Sequence, residues 1–150
     1  MVQCRQRRLA VVTVEAAFVL PVAFFLILAT VIGSMGIFRY QEVCYLAKEG
    51  ARYASVRGTQ YEQEVSGATA ATADSIYNKA ILPRVAVCDT ANLSYSVSWS
   101  QSNSPYTVTS SFEKPVGNTV TVTVTYKWMP ELYLIGPITL KASSTMPMSY

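Results

Sequence analysis

An uncharged run from Ala16 to Phe38, with Glu15 as the single charge between Leu9 and Phe38, constrains this chain more than any other feature. At ~1.5 Å per helical residue the run is long enough for a bilayer core of ~30 Å. A carboxylate in hydrocarbon is unfavourable unless it is neutralised or paired, so Glu15 calls for a partner. The plainer alternative is an acid close enough to the interface to reach headgroups and water. Arg5, Arg7 and Arg8 precede the run with no acid among them. By the positive-inside rule they hold the N-terminus in the cytoplasm and send everything beyond Phe38 across the membrane. The expected organisation is a basic leader over 1–10, a membrane helix over 11–38 and an extracytoplasmic domain over 39–150. A cleaved secretory signal is the competing reading, with Gly33, Ser34 and Gly36 as its cleavage region. The apolar run exceeds the ~7–15 residues usual for such a signal, and Glu15 and Pro21 interrupt it.

Beyond the run the pattern turns amphipathic. Ile37, Tyr40, Cys44, Ala47, Ala51 and Ala54 recur at three- and four-residue spacing, and Arg39, Glu42, Lys48, Glu49 and Arg52 supply a wetter face. One long helix from about Leu9 to Arg57 is expected, bent at Pro21 and stopped at Gly58. Thr59-Gln60-Tyr61-Glu62 fits a capping box for a second helix. Val65, Ala68, Thr72, Ile76 and Ala80 then repeat along it, Gly67 interrupts it and Pro83 ends it.

After Pro83 the period changes from helix to strand. Leu93, Tyr95, Val97 and Trp99 alternate with serines, and Val120, Val122, Val124 and Tyr126 alternate with threonines, as half-buried antiparallel strands do. A weaker strand is expected over Tyr106–Phe112, a hairpin loop over Pro115–Asn118 and a last strand over Ile138–Met146. A sheet of about four strands has one apolar face, which only the helices can cover. The fold class is therefore α+β: a long N-terminal helix, first transmembrane and then amphipathic, a second helix and a small antiparallel sheet.

The residues do not point to catalysis. The chain has no histidine, which removes the commonest general base and metal ligand. Its three cysteines are too widely spaced for a zinc site, and no phosphate-binding glycine loop or nucleophile elbow occurs. Glu62 and Glu64 point apart at i,i+2 on a helix. No cofactor is implied. A net charge of +3 with scattered basic residues argues against a nucleic-acid surface. The aromatic residues offer a binding surface instead, for a glycan or a protein partner. Tyr95, Trp99 and Tyr126 are expected to fill the buried sheet face, leaving Tyr106, Trp128 and Tyr133 as candidates for an exposed contact. Cys4 lies before the membrane. Cys44 and Cys88 both fall on the exported side, where a disulfide is permitted, and are a candidate pair; the alternative is two unpaired small hydrophobes.

Two segments resemble a known family. Arg8-Leu9-Ala10-Val11-Val12-Thr13-Val14-Glu15, running into Leu20-Pro21, is similar to the N-terminus of TadE-like proteins, the pseudopilins of the tight-adherence (Flp, type IVb pilus) system. Lys48-Glu49-Gly50-Ala51-Arg52-Tyr53-Ala54 resembles that family's "REGARYA" segment just past the membrane. The run from Gly117 to Met146 is similar in style. The resemblance implies a pilin-like fold and a bacterial inner-membrane location. It also implies a role in pilus assembly and adhesion alongside other pilins and assembly proteins. It further implies cutting by a prepilin peptidase between Ala10 and Val11, which makes Glu15 the fifth residue of the mature chain. Ala10 stands where glycine is usual before the cut, and Ala16 where an aromatic often follows the glutamate. A new amine on Val11 would lie one helical turn from Glu15. The carboxylate then has a counter-charge, its own or a neighbour's, in a pair that acts mainly as a register device. Gly33, Ser34 and Gly36 would permit close approach of a second helix.

Overall fold

The structure is a computed structural model that describes residues 2–107, 115–130 and 136–150, with side chains from residue 12 onward. It divides into two compact units, Met1–Ile37 and Phe38–Tyr150. Helix α1 (Val2–Ser55) supplies all of the first and the opening element of the second. It continues through Pro21.

In the first unit the apolar side chains are exposed all round the helix, with Phe18 at 74% and Ile27 at 63%. A helix that is apolar on every face needs a non-aqueous surrounding. Two of its hydroxyl residues bond to their own helix: Thr30 Oγ1 donates to the Leu26 carbonyl at 2.8 Å and Ser34 Oγ to the Thr30 carbonyl at 2.7 Å. Such back-bonding to the preceding turn is what a polar group needs where water is absent.

In the second unit α1 is followed by α2 (Thr59–Glu64) and α3 (Ala73–Ile76). A π-helical turn (Tyr77–Ile81) and 3₁₀ turns at Leu82–Arg84 and Thr90–Asn92 lead into the sheet. Strands β1 (Leu93–Trp99), β4 (Thr119–Trp128) and β5 (Ile138–Pro147) form an antiparallel sheet in the order β1-β4-β5. Strands β2 (Tyr106–Thr107) and β3 (Val116–Gly117) pair separately. The α+β architecture expected from periodicity is therefore observed, with the sheet strands split three and two. Valine–threonine alternation sorts β4 cleanly: Val120, Val122, Val124, Tyr126 and Trp128 are buried and the threonines between them are not.

Several local expectations need correction. The inward face of α1 is Val43, Leu46, Ala47, Gly50, Ala51 and Ala54, so Ile37 and Tyr40 point outward. Large residues closer to the sheet set the helix rotation. α1 ends at Ser55, short of the expected Arg57, and Gly58 is not its stop but the residue that caps the start of α2. Its φ is −83°, ordinary for any residue, but an added Cβ would collide with the Tyr150 carbonyl and sit 2.8 Å from the Asn103 carbonyl. The single second helix is two. Gly67 takes φ +80°, a turn that suits glycine, and the Ala71 amide donates to the Arg57 carbonyl at 2.7 Å, folding the segment back on the end of α1. The capping box lies not at Thr59, whose hydroxyl bonds Ser104 at 2.7 Å, but between Thr72 and Ser75. Pro115–Asn118 is not a simple hairpin loop, since Val116 and Gly117 pair in β3 and Asn118 is buried. Of the strand expected over Tyr106–Phe112, residues 108–112 lie outside the described residues.

Candidate assembly site

The family-like segment Lys48–Ala54 is built as a packing surface. Gly50, Ala51 and Ala54 are buried, while Lys48 and Arg52 are exposed. A Cβ on Gly50 would lie 3.1 Å from Val122 Cγ1, 3.4 Å from Ile81 Cγ1 and 3.5 Å from Ile76 Cγ2. Helix and sheet thus meet at backbone distance, and only small residues fit between them. The π turn serves the same contact. Its i→i+5 bond, Leu82 amide to Tyr77 carbonyl, widens the helix so that Ile76 and Ile81, five residues apart, both reach Gly50. Glu49 faces Arg84 at 3.4 Å, and Arg57 lies over the Tyr53 ring at 4.1 Å from its centroid.

Two further residues of α1 lock the lower part of the unit, and neither was read as functional from the sequence. Glu42 accepts from three consecutive amides, Ala86 at 2.6 Å, Val87 at 3.0 Å and Cys88 at 3.0 Å. Burial alone would raise its pKa, but these amides and the Cys88 thiol favour the carboxylate and hold it below the ordinary value. Arg39 Nη1 donates to the Tyr126 hydroxyl at 3.2 Å, and its guanidinium lies 5.7 Å from the centre of the Trp128 ring. An acid and a base three residues apart at the start of an amphipathic helix were the available signal; it reads equally as a solvated face.

Cys44 and Cys88 are free thiols. The structure does not bring them together. Cys88 is held by Glu42, and Cys44 is two residues further along α1, about 200° round the helix from Glu42. Burial and the Glu42 carboxylate push the Cys88 thiol up to about 12, so it stays protonated. The buried aromatic face holds Tyr126 as expected, with Tyr95 and Trp99 half-buried; Tyr95 stacks on Tyr77 at 4.5 Å and donates to Asp74 at 2.8 Å. Trp128 is not an exposed contact: it is 4% exposed, packed by Arg39. Tyr133 lies outside the described residues. Tyr106 is exposed at the rim of a shallow polar hollow lined by Gln60, Gln63 and Glu64.

Asn118, read from sequence as a turn residue, is a buried knot. Its side-chain nitrogen lies 2.8–2.9 Å from three oxygens that share its two hydrogens, Ser102 Oγ, Ser104 O and Thr107 Oγ1, and its backbone carbonyl accepts from the Met148 amide. Ala10 and Val11 lie in α1, and the helix is unbroken to Glu15, which is exposed. Among the described residues no cluster of His, Cys, Asp or Glu is arranged to hold a metal.

These features define a class: an α+β domain carried on a helix long and apolar enough to cross a membrane. Within it, the family model described as TadE-like protein matches residues 10–52, the helix that carries both resembling segments. The match points to the tight-adherence pilus system, and the apolar helix is consistent with a single-pass anchor there. No curated protein and no solved structure matches the chain.

Proposed function

We propose that this chain is a pseudopilin, a minor structural or assembly component of a tight-adherence (Flp, type IVb) pilus that works by helix packing and not by catalysis. The observation that carries the reading is the coincidence of the family match over 10–52 with a helix whose apolar side chains are uncovered from Val12 to Phe38. The N-terminus stays in the cytoplasm and the domain beyond Phe38 lies outside the inner membrane, as the leader arginines favour. A prepilin peptidase cuts between Ala10 and Val11, and Glu15 neutralises an N-terminal amine, setting register with a neighbouring pilin before assembly.

Intact mass of the membrane-purified protein tests the cut: a chain that starts at Val11 is expected, and one that starts near Met35 refutes the pseudopilin reading. Glu15→Gln is expected to leave membrane insertion intact while weakening co-purification with other pilus subunits. Unchanged co-purification removes the register role.

A further inference from the structure

We infer that the end of the folded unit nearest Phe38 is itself a lipid-contacting surface, in which Val87, Lys127 and Met129 bed into a headgroup layer rich in anionic phospholipid. The inference rests on the reading of α1 as a membrane anchor.

Two contacts inside the unit fix its direction. Gly50 meets Val122, and Arg39 meets Trp128. From Gly50 back to Arg39 the helix covers about 17 Å, and from Val122 on to Trp128 strand β4 covers about 20 Å. The helix and β4 are therefore antiparallel, and β4 ends beside Arg39, the residue directly after the uncharged run. Glu42, one turn along, pins the segment Ala86–Cys88 at the same level.

What that end exposes suits an interface. Val87 is 44% exposed and Met129 is 52% exposed, apolar side chains left open at that end. The outward face of the sheet is serine and threonine except for Pro147 at one end and Lys127 and Lys141, and both lysines lie toward the Trp128 end. Among the described residues the acids at that end are engaged, Glu42 by three amides and Asp89 by Ala91 and Asn92. Open apolar side chains at an end that also carries lysines, Trp128, Tyr126 and Arg39 match the chemistry of a membrane–water boundary, where aromatic and basic residues concentrate. Aqueous surroundings would leave Met129 and Val87 wet with no gain. A bilayer adjoining Phe38 covers them without any new partner.

The chain's two tryptophans report on this directly, because Trp128 sits at the proposed lipid end while Trp99 pairs with Val120, about 27 Å away along β4. The experiment reconstitutes the full chain in nanodiscs of phosphatidylcholine and phosphatidylglycerol that contain headgroup-nitroxide phosphatidylcholine, and reads tryptophan fluorescence. Trp99→Phe leaves Trp128 alone, and its quenching is expected to exceed that of the Trp128→Phe chain by about twofold or more. In the Trp99→Phe background, replacing phosphatidylglycerol by phosphatidylcholine, or introducing Lys127→Glu with Lys141→Glu, is expected to lower the quenching; these surface changes keep the test decisive if Trp128→Phe does not fold. Equal quenching of the two tryptophans, or no response to lipid charge, overturns the inference. Discs that hold paired chains with neither tryptophan quenched mean that a second copy covers the patch, which also overturns it. A chain that does not enter discs at all refutes the anchor reading instead.

Discussion

The two halves of α1 share a backbone conformation and differ in almost everything else. Before Phe38 the helix carries bulky side chains on every face, such as Phe18, Leu20, Phe24, Phe25 and Ile27, and all of them are exposed. After it, one face is narrowed to Ala47, Gly50, Ala51 and Ala54 and is buried against a sheet. The first half interacts with its surroundings through volume, which a fluid solvent of chains accepts in any shape. The second interacts through the lack of volume, because a sheet is a fixed partner and closeness is the only way to gain contact with it. The two glycines Gly33 and Gly50 state the difference most sharply: a Cβ on Gly33 meets nothing within 4 Å, and one on Gly50 meets Val122 at 3.1 Å.

Breaking that contrast should give a graded series, measured by thermal or urea unfolding of the full chain in detergent with near-ultraviolet circular dichroism as the reading. Gly50→Leu puts a branched side chain where even a Cβ would crowd Val122 and is expected to destabilise the folded unit by about 3 kcal/mol or more, abolishing its near-ultraviolet signal. A folded Gly50→Leu protein of unchanged stability would mean that helix and sheet are not held at backbone distance. Val122→Ala, on the other side of the contact, leaves a cavity and is expected to lose about 2 kcal/mol. Glu42→Gln removes a charged acceptor from three amides at a partly exposed position, so a smaller loss of about 1–2 kcal/mol is expected.

Glu42 also sets a pH dependence. Its folded pKa is lowered below its ordinary 4.5, so its contribution is present above that value and disappears as pH falls through the lower one. Glu42→Gln should flatten the acid side of the stability curve, and a parallel curve would remove Glu42 as its source. Gly33→Ala is expected to leave the stability of the folded unit unchanged, which makes it the control for the whole series.

The contrast also explains what was legible in the sequence. Alternation gives β1 to the residue and most of β4, because a period of two with apolar residues on one side admits one face assignment, and β5 follows the Gly136-Pro137 break. The uncharged run gave the first half of α1 in the same way. The rotation of the second half is not legible in the sequence, because Val43, Leu46 and Gly50 look no more apolar as a set than Ile37, Tyr40 and Cys44. Only the position of Val122 chooses between them. The helix after Gly58 was read as continuous because nothing local announces that the Ala71 amide will bond the Arg57 carbonyl. Asn118 was hidden for a similar reason: Gly-Asn-Thr has turn composition, and its burial depends on loop residues Ser102 to Thr107 arriving from elsewhere. The resembling segments were legible as sequence, but that Lys48–Ala54 is a spacing device followed only from the geometry at Gly50.

The contact between Gly50 and Val122 has a consequence for the order of events during synthesis. The helix is made first, and the strand that covers it is encoded some seventy residues later. Until β4 emerges, Val43 and Leu46 have no cover, and closing so distant a pair is slow compared with forming the helix itself. A nascent chain therefore passes through a stage in which a finished helix waits with its greasy stripe open. A protein of this design depends on whatever shields that stripe for the time it takes to translate the sheet.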